Sequence, residues 1–252
     1  MTMIGLVVPT LGQRPDYLQA CLESIRANEP SRINLVAPEG FNYRKLMDQG
    51  LIDQFTLDPG GGLAKAINAG IKAFDSSIAY VSWLGDDDLL ERESLEKSVA
   101  AFKPGIVAVF GNCSFIDANS RKFWELKSGQ WAVGMLSWGP NKVPQPGSLL
   151  LREAVEGVGY LDENLGWAFD QDLFLKLRSS GKLKHIPQSL ASFRWHDASL
   201  SAGESKKSLK EASNVRLKYA RPGLRSLCRL REELHVFLAS SVTASLDRRQ
   251  VQ

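Results

Sequence analysis

The chain has little of what would staple, anchor or strongly polarise a protein. Its 252 residues hold three cysteines, Cys21, Cys113 and Cys228, far apart and in no C-x-x-C pairing. Neither a disulfide framework nor a cysteine zinc site is indicated, and the three read as small core residues. Long apolar runs are missing as well. With 44% hydrophobic and 23% charged residues, the composition is that of an ordinary globular protein, and no segment is apolar enough to span a bilayer. The opening "MTMIGLVVPTLGQRP" lacks a basic start and its short apolar run ends in a turn, so it does not read as a signal peptide and a cytoplasmic protein is expected. Net charge is only +3, and the basic surplus sits in residues 206–252, with 11 Lys/Arg against 4 Asp/Glu. A charge that modest, with no aromatic stacking platform beside it, argues against nucleic-acid binding. There is no internal repeat and no low-complexity tract. One large domain with a substantial core, or a domain with an appendage, is the expectation.

What is present is an alternation of two signals. "MIGLVVP", a β-branched apolar run stopped by Pro9, reads as a buried strand. After the loop "TLGQRP", Leu18, Cys21, Leu22 and Ile25 recur at helical spacing behind Pro15, a residue tolerated where a helix begins. "RINLVAP" repeats the strand, "LAKAINAGIKAF" the helix, and "IAYVSWL" adds another strand. "GIVAVFGNC" is a further strand, "PGSLLLREAVEGVGYLDENL" a strand or short helix with a loop, and "DQDLFLKLRSSG" a helix stopped by Gly181. "LKHIPQSLASFRWH" reads as the last strands of the domain. Such alternation predicts an α/β domain with a largely parallel sheet, whose ligands collect beyond the carboxyl ends of the strands. Pro9 with Thr10, Pro38 with Glu39, and the run Asp86, Asp87, Asp88 all fall on that edge. The polar stretch "SLSAGESKKS" suggests a boundary, dividing residues 1–201 from a basic helical extension, 202–252. There Leu224, Leu227, Leu230, Leu234 and Phe237 share one helix face.

Three adjacent carboxylates repel one another, each pair costing on the order of 1 kcal/mol at roughly 4 Å even in water. Either a divalent ion such as Mg²⁺ or Mn²⁺ offsets them, or they form a solvated acidic turn with an Asp capping the helix "LERESLEKSVAAF". The glycines of "DPGGGLAKAINAG" suit a backbone approached by phosphates, with Lys65 nearby, or simply a tight turn. Asp170 and Asp172 open a helix at i and i+2, so at most one points into a cleft while the other serves structure. His196, beside Trp195, is a ligand only if carboxylates converge on it.

In order along residues 3–201, these pieces resemble an inverting family 2 glycosyltransferase of the GT-A fold. The matching segments are "VVPTLGQRPDYLQACLESI", "GGGLAKAINAGIKAF", "YVSWLGDDDLLERESLE", "PGSLLLREAVEGVGYLDENLG", "FDQDLFLKLRSSGKLKHIP" and "FRWHDASLS". The resemblance implies a Rossmann-like, mostly parallel mixed sheet with a helical C-terminal extension. It implies a nucleotide-diphosphate sugar donor bordered by Pro9, Thr10, Glu39, Lys65, Asn68 and Asp86, with UDP-sugar as first guess. It implies Mn²⁺ or Mg²⁺ on Asp87, with Asp88 as second ligand or in the shell behind it, while a literal D-x-D register pairs Asp86 with Asp88 instead; His196 joins the metal in some members, and Asp170 is the general base. Gly85 stands where the family usually writes its first aspartate, Pro38 and Glu39 replace an Asp-Asp-Gly-Ser segment, and Ile67 replaces an arginine before Asn68. The acceptor class implied is a saccharide or lipid-linked hydroxyl, in surface polysaccharide synthesis. The basic tail would touch a membrane surface peripherally, dock on the domain or pair with a second copy. Two rivals remain: a metal-dependent nucleotidyltransferase, which would want a basic glycine-rich loop after the first strand, and a catalytically silent nucleotide-sugar binder, in which Asp170 would be dispensable.

Overall fold

The computed structural model describes residues 3–28, 31–195 and 206–220, together with 226, 228 and 229. In chain order its elements are β1 (Met3–Pro9), α1 (Pro15–Arg26), β2 (Ser31–Ala37), α2 (Arg44–Asp48), β3 (Gln54–Leu57), α3 (Leu63–Lys72), β4 (Ile78–Trp83) and β5 (Leu89–Leu90). They continue as α4 (Ser94–Ala101), β6 (Ile106–Ile116), β7 (Lys122–Leu126), α5 (Gln130–Met135), β8 (Leu149–Leu151), α6 (Arg152–Gly157), α7 (Phe169–Ser180), β9 (Lys182–Arg194) and α8 (Lys206–Lys218). One mixed sheet runs β3-β2-β1-β4-β8-β6-β9-β5, with β7 also on β6. The β3-β2-β1-β4 half is parallel, β8 is antiparallel to both its neighbours, and β6 and β9 run parallel again.

The predicted strands are those whose apolar runs are buried on both faces. Alternate residues of β1 divide between two cores: Ile4, Leu6 and Val8 pack with Leu18, Cys21, Leu22 and Ile25 of α1, while Val7 packs with α3, α6 and α7. Both faces covered is the arrangement a parallel sheet requires. Helix α3 comes so close to β1 that a Cβ on Gly70 would lie 2.5 Å from a Val7 methyl. That contact needs glycine. Helix α8 joins the second core through Val215, with Ala212 and Tyr219 packed against it.

Two local expectations are refined. The helix expected over "LERESLEKSVAAF" begins only at Ser94, because Leu89 and Leu90 first pair with Ser192 and Ala191 of β9. The last strands prove to be one long strand, β9, aligned with β6 along most of its length. The apolar face predicted from Leu224 to Phe237 lies outside the described residues, as does the proposed boundary near residue 201. No helix among the described residues is long and apolar enough to cross a membrane.

Candidate active site

β1 and β4 run side by side, and their carboxyl ends deliver Thr10 and the aspartates to one place. Thr10 Oγ donates to Asp86 Oδ2 at 2.6 Å. Arg14, just before α1, lays its guanidinium across the same turn, 3.3 Å from Asp86 Oδ1 and 3.0 Å from Asp87 Oδ2. Asp88 points inward, where its Oδ1 accepts the backbone N–H of Arg194 at 2.9 Å. The Arg194 side chain, 1% exposed, donates to the carbonyls of Asp87 and Asp117 and to Ser120 Oγ, and its guanidinium lies over the Tyr17 ring. Two arginines from distant segments thus offset three carboxylates. Burial, then the Asp87 charge, pushes the Asp88 carboxyl well above the usual carboxylate range, against the pull of Arg194.

The acidic turn caps no helix. α4 starts behind Glu93, held at φ +61° without a side-chain cap. Instead, Asp87 Oδ1 and Asp88 Oδ2 would lie 2.9 and 3.1 Å from a Cβ on Gly85. The side chain missing at Gly85 therefore leaves a cradle faced by two hard oxygens, and an aspartate there would collide with both carboxylates. That donor set fits Mg²⁺ or Mn²⁺, which commonly take one or two carboxylates and complete their shell with waters and substrate phosphates. Among the described residues no group of three or more His, Cys, Asp or Glu is arranged to hold a metal. His196, the further ligand implied by the resemblance, lies outside the described residues.

Asp170 stands in the first turn of α7, beside Phe169, whose ring packs near Trp83. Trp83 ends β4 two residues before Gly85, and its ring centroid is 6.5 Å from that of Phe169. The loop after α5 is tied to the same point, since Gln145 Nε2 donates to Trp83 O at 2.8 Å. From that loop Asn141 Nδ2 donates to Asp170 Oδ2 at 3.0 Å, and the Gln171 N–H donates to Oδ1 at 2.7 Å. Burial outweighs these two bonds and raises the Asp170 carboxyl to about 6. A carboxylate poised near neutral pH is suited to take a proton. Asp172 has the other fate predicted for the pair: fully buried, it accepts Lys218 Nζ at 3.0 Å and the Tyr219 hydroxyl at 2.8 Å, and pairs with Lys176 at 2.9 Å. It fastens α7 to α8.

The remaining expected donor residues separate. Pro9 ends β1 beside Thr10, and Glu39 is exposed just past the carboxyl end of β2. Lys65 folds its side chain over the glycine loop, its Nζ 3.6 Å from where a Cβ on Gly61 would stand. Gly60, Gly61 and Gly62 all have positive φ, 69°, 94° and 111°, a backbone open to glycine and strained for other residues. Asn68 faces a loop of its own chain. Buried at 2% exposure, it donates to Leu161 O and Glu163 Oε1 and accepts the Leu161 N–H. Its amide is spent on the loop before α7 and braces that loop. Sequence reasoning passed over Arg14, Asn141 and Arg194. Arg14 lies inside the quoted "TLGQRP", so a cation within reach of the strand-end carboxylates was its available signal. A cavity of about 300 Å³ lined by Ile106, Gln130, Arg178 and Lys182 sits at the opposite ends of β6 and β9, away from this chemistry.

The family model described as glycosyl transferase family 2 matches residues 46–154, from α2 through the acidic turn to α6. Residues 1–349 of S. aureus TarS superpose with TM-score 0.65 at 13% identity, over 96% of this chain and 73% of that one. The same fragment in complex with UDP gives 0.61 at 13%, over 90% and 69%. The mannosyltransferase PcManGT from Pyrobaculum calidifontis, in complex with GDP-Man and Mn²⁺, gives 0.64 at 16%, over 94% and 70%. No curated protein matches the chain by sequence. The fold is therefore the GT-A type, a mixed α/β fold with a curled, mostly parallel sheet. Residues 46–154, which hold the acidic turn, are the part of the chain that is similar to the glycosyl transferase family 2 model.

Proposed function

We propose that the enzyme moves a sugar from a nucleotide-diphosphate donor onto a saccharide or lipid-linked hydroxyl in a single inverting displacement, in surface polysaccharide synthesis. The observation that supports the reading is a carboxylate raised to about 6 on α7, next in sequence to Phe169, whose ring packs near Trp83 at the end of the strand that leads into the acidic turn. Asp170 takes the proton of the acceptor hydroxyl as that oxygen forms its bond to the anomeric carbon. The bond from that carbon to the diphosphate oxygen breaks, and its electron pair leaves with the nucleoside diphosphate. A well-placed base of this kind contributes roughly 10² to 10⁴-fold. Asp87 and Asp88 would hold a divalent ion, which when bound offsets the charge growing on the leaving group. Asp86, fixed by Thr10 and Arg14, is suited to a donor hydroxyl. The silent-binder reading gives no reason for Asn141 to hold Asp170, and the nucleotidyltransferase reading still lacks its basic loop.

UDP bound to TarS and GDP-Man bound to PcManGT make UDP-sugars and GDP-Man the donors with which to begin. Cytoplasmic residence, with peripheral contact at the inner membrane surface, belongs to this reading. A thermal-shift screen of nucleotide sugars with and without Mn²⁺ tests it: a stabilisation seen only with both present is expected. Stabilisation by no nucleotide sugar would sink the proposal.

A further inference from the structure

The loop and helix that carry Asp170 are held from outside by α8. Helix α7 begins without a side-chain cap, because its N-cap is Ala168. The orphan amides before it are taken by one residue of α8: Glu211 accepts the N–H groups of Gly166 at 3.0 Å, Trp167 at 2.7 Å and Ala168 at 2.7 Å. Three amides on one carboxylate are charge-assisted bonds, stronger than neutral ones, and they hold the chain that leads into the helix. Seven residues on, two turns along the same helix, Lys218 and then Tyr219 reach Asp172. Between them the buried Arg216 donates to Gly139 O, in the loop that supplies Asn141. α8 therefore touches the chain before Asp170, the residue two positions after it, and the loop bearing its hydrogen-bond partner.

We propose that α8 is a clamp on the acceptor side of the site and that Glu211 is a positioning residue for Asp170; this rests on Asp170 being the base. A displacement near 1 Å at a reacting group costs on the order of 10²-fold in rate. Glu211 acts through the backbone of residues 166–168 and touches neither donor nor metal, so its loss lowers turnover and spares donor binding.

The test is a double-mutant cycle on the full chain, reading donor turnover with Mn²⁺ and nucleoside-diphosphate affinity by calorimetry. The donor is the sugar nucleotide giving the largest Mn²⁺-dependent thermal shift. Glu211→Ala should lower turnover about 10- to 100-fold with affinity within about twofold of wild type. Glu211→Gln, which keeps one accepting oxygen, should fall between, and Lys207→Ala on the exposed side of α8 should match wild type. In an Asp170→Asn background Glu211→Ala should cost less than about threefold, because there is no base left to misplace. Turnover within twofold of wild type for Glu211→Ala, or an undiminished loss in the Asp170→Asn background, overturns the clamp. If Glu211→Ala fails to fold, the cycle run with Glu211→Gln decides by the same criteria. Wild-type turnover in Asp170→Asn alone overturns the base assignment instead.

Discussion

Asp170 makes opposite demands on turnover and stability, and pH separates them. Burial, the largest cause, raises its carboxyl to about 6 in the folded protein, above the 3.8 of an ordinary aspartate. As a base it works only when ionised, so turnover should hold from about pH 8 to 7 and fall through pH 6, reaching roughly a tenth at pH 5. An ordinary aspartate would still be about nine-tenths ionised there, and no such fall would occur. Stability runs the other way. A folded-state pKa above the unfolded one means that the folded protein binds more protons between pH 4 and 6. Asp170 therefore subtracts stability as pH rises through that window, and the loss is complete above pH 6. The shift of about two units corresponds to roughly 3 kcal/mol, an upper figure because Asp170 keeps some contact with solvent. Asp170→Asn should thus lose turnover by 10² or more while gaining up to about 2 kcal/mol at pH 7, part of the gain being lost where Asn141 Nδ2 faces a second donor. Urea unfolding at pH 5 and 7.5 measures one half, and the pH profile of kcat the other. A kcat flat from pH 7.5 to 5, or an Asp170→Asn variant less stable than wild type at pH 7.5, would refute the reasoning.

Other expected outcomes follow from the same contacts. Asn141→Ala removes a bond to the ionised carboxylate, so the acid limb of the kcat profile should move to higher pH; a limb that stays in place removes Asn141 from the site. Asp87→Ala should abolish Mn²⁺-dependent nucleoside-diphosphate binding in calorimetry, and binding equal to wild type would defeat the two-carboxylate metal site. Gly85→Ala puts a methyl against Asp87 Oδ1 and Asp88 Oδ2, so it should weaken that same binding about tenfold or more with little change in fold by circular dichroism. Asn68→Ala should cost about 1–3 kcal/mol in urea unfolding by orphaning Leu161 amide groups, while a donor-binding role would leave stability unchanged.

The sequence alone determined the elements and the edge at which they meet. Apolar runs with period-independent burial marked β1, β2, β4 and β6, and helical spacing marked Leu18, Cys21, Leu22 and Ile25, which are the buried face of α1. Short elements such as α2, β3 and β7, half-exposed and carrying no clear period, were not legible. The residue types that favour a divalent ion and a base were also readable, because three adjacent carboxylates and a helix-opening aspartate are local facts. Tertiary structure decided which atoms meet. Asp88 meets Arg194 across 106 residues, Arg14 meets Asp87 across 73, and Asn141 meets Asp170 across 29. It also spent Asn68 on a loop and gave Glu211 three amides. Such pairings arise where the sheet brings separate strand ends together, and local periodicity describes one element at a time, so it carries no record of them.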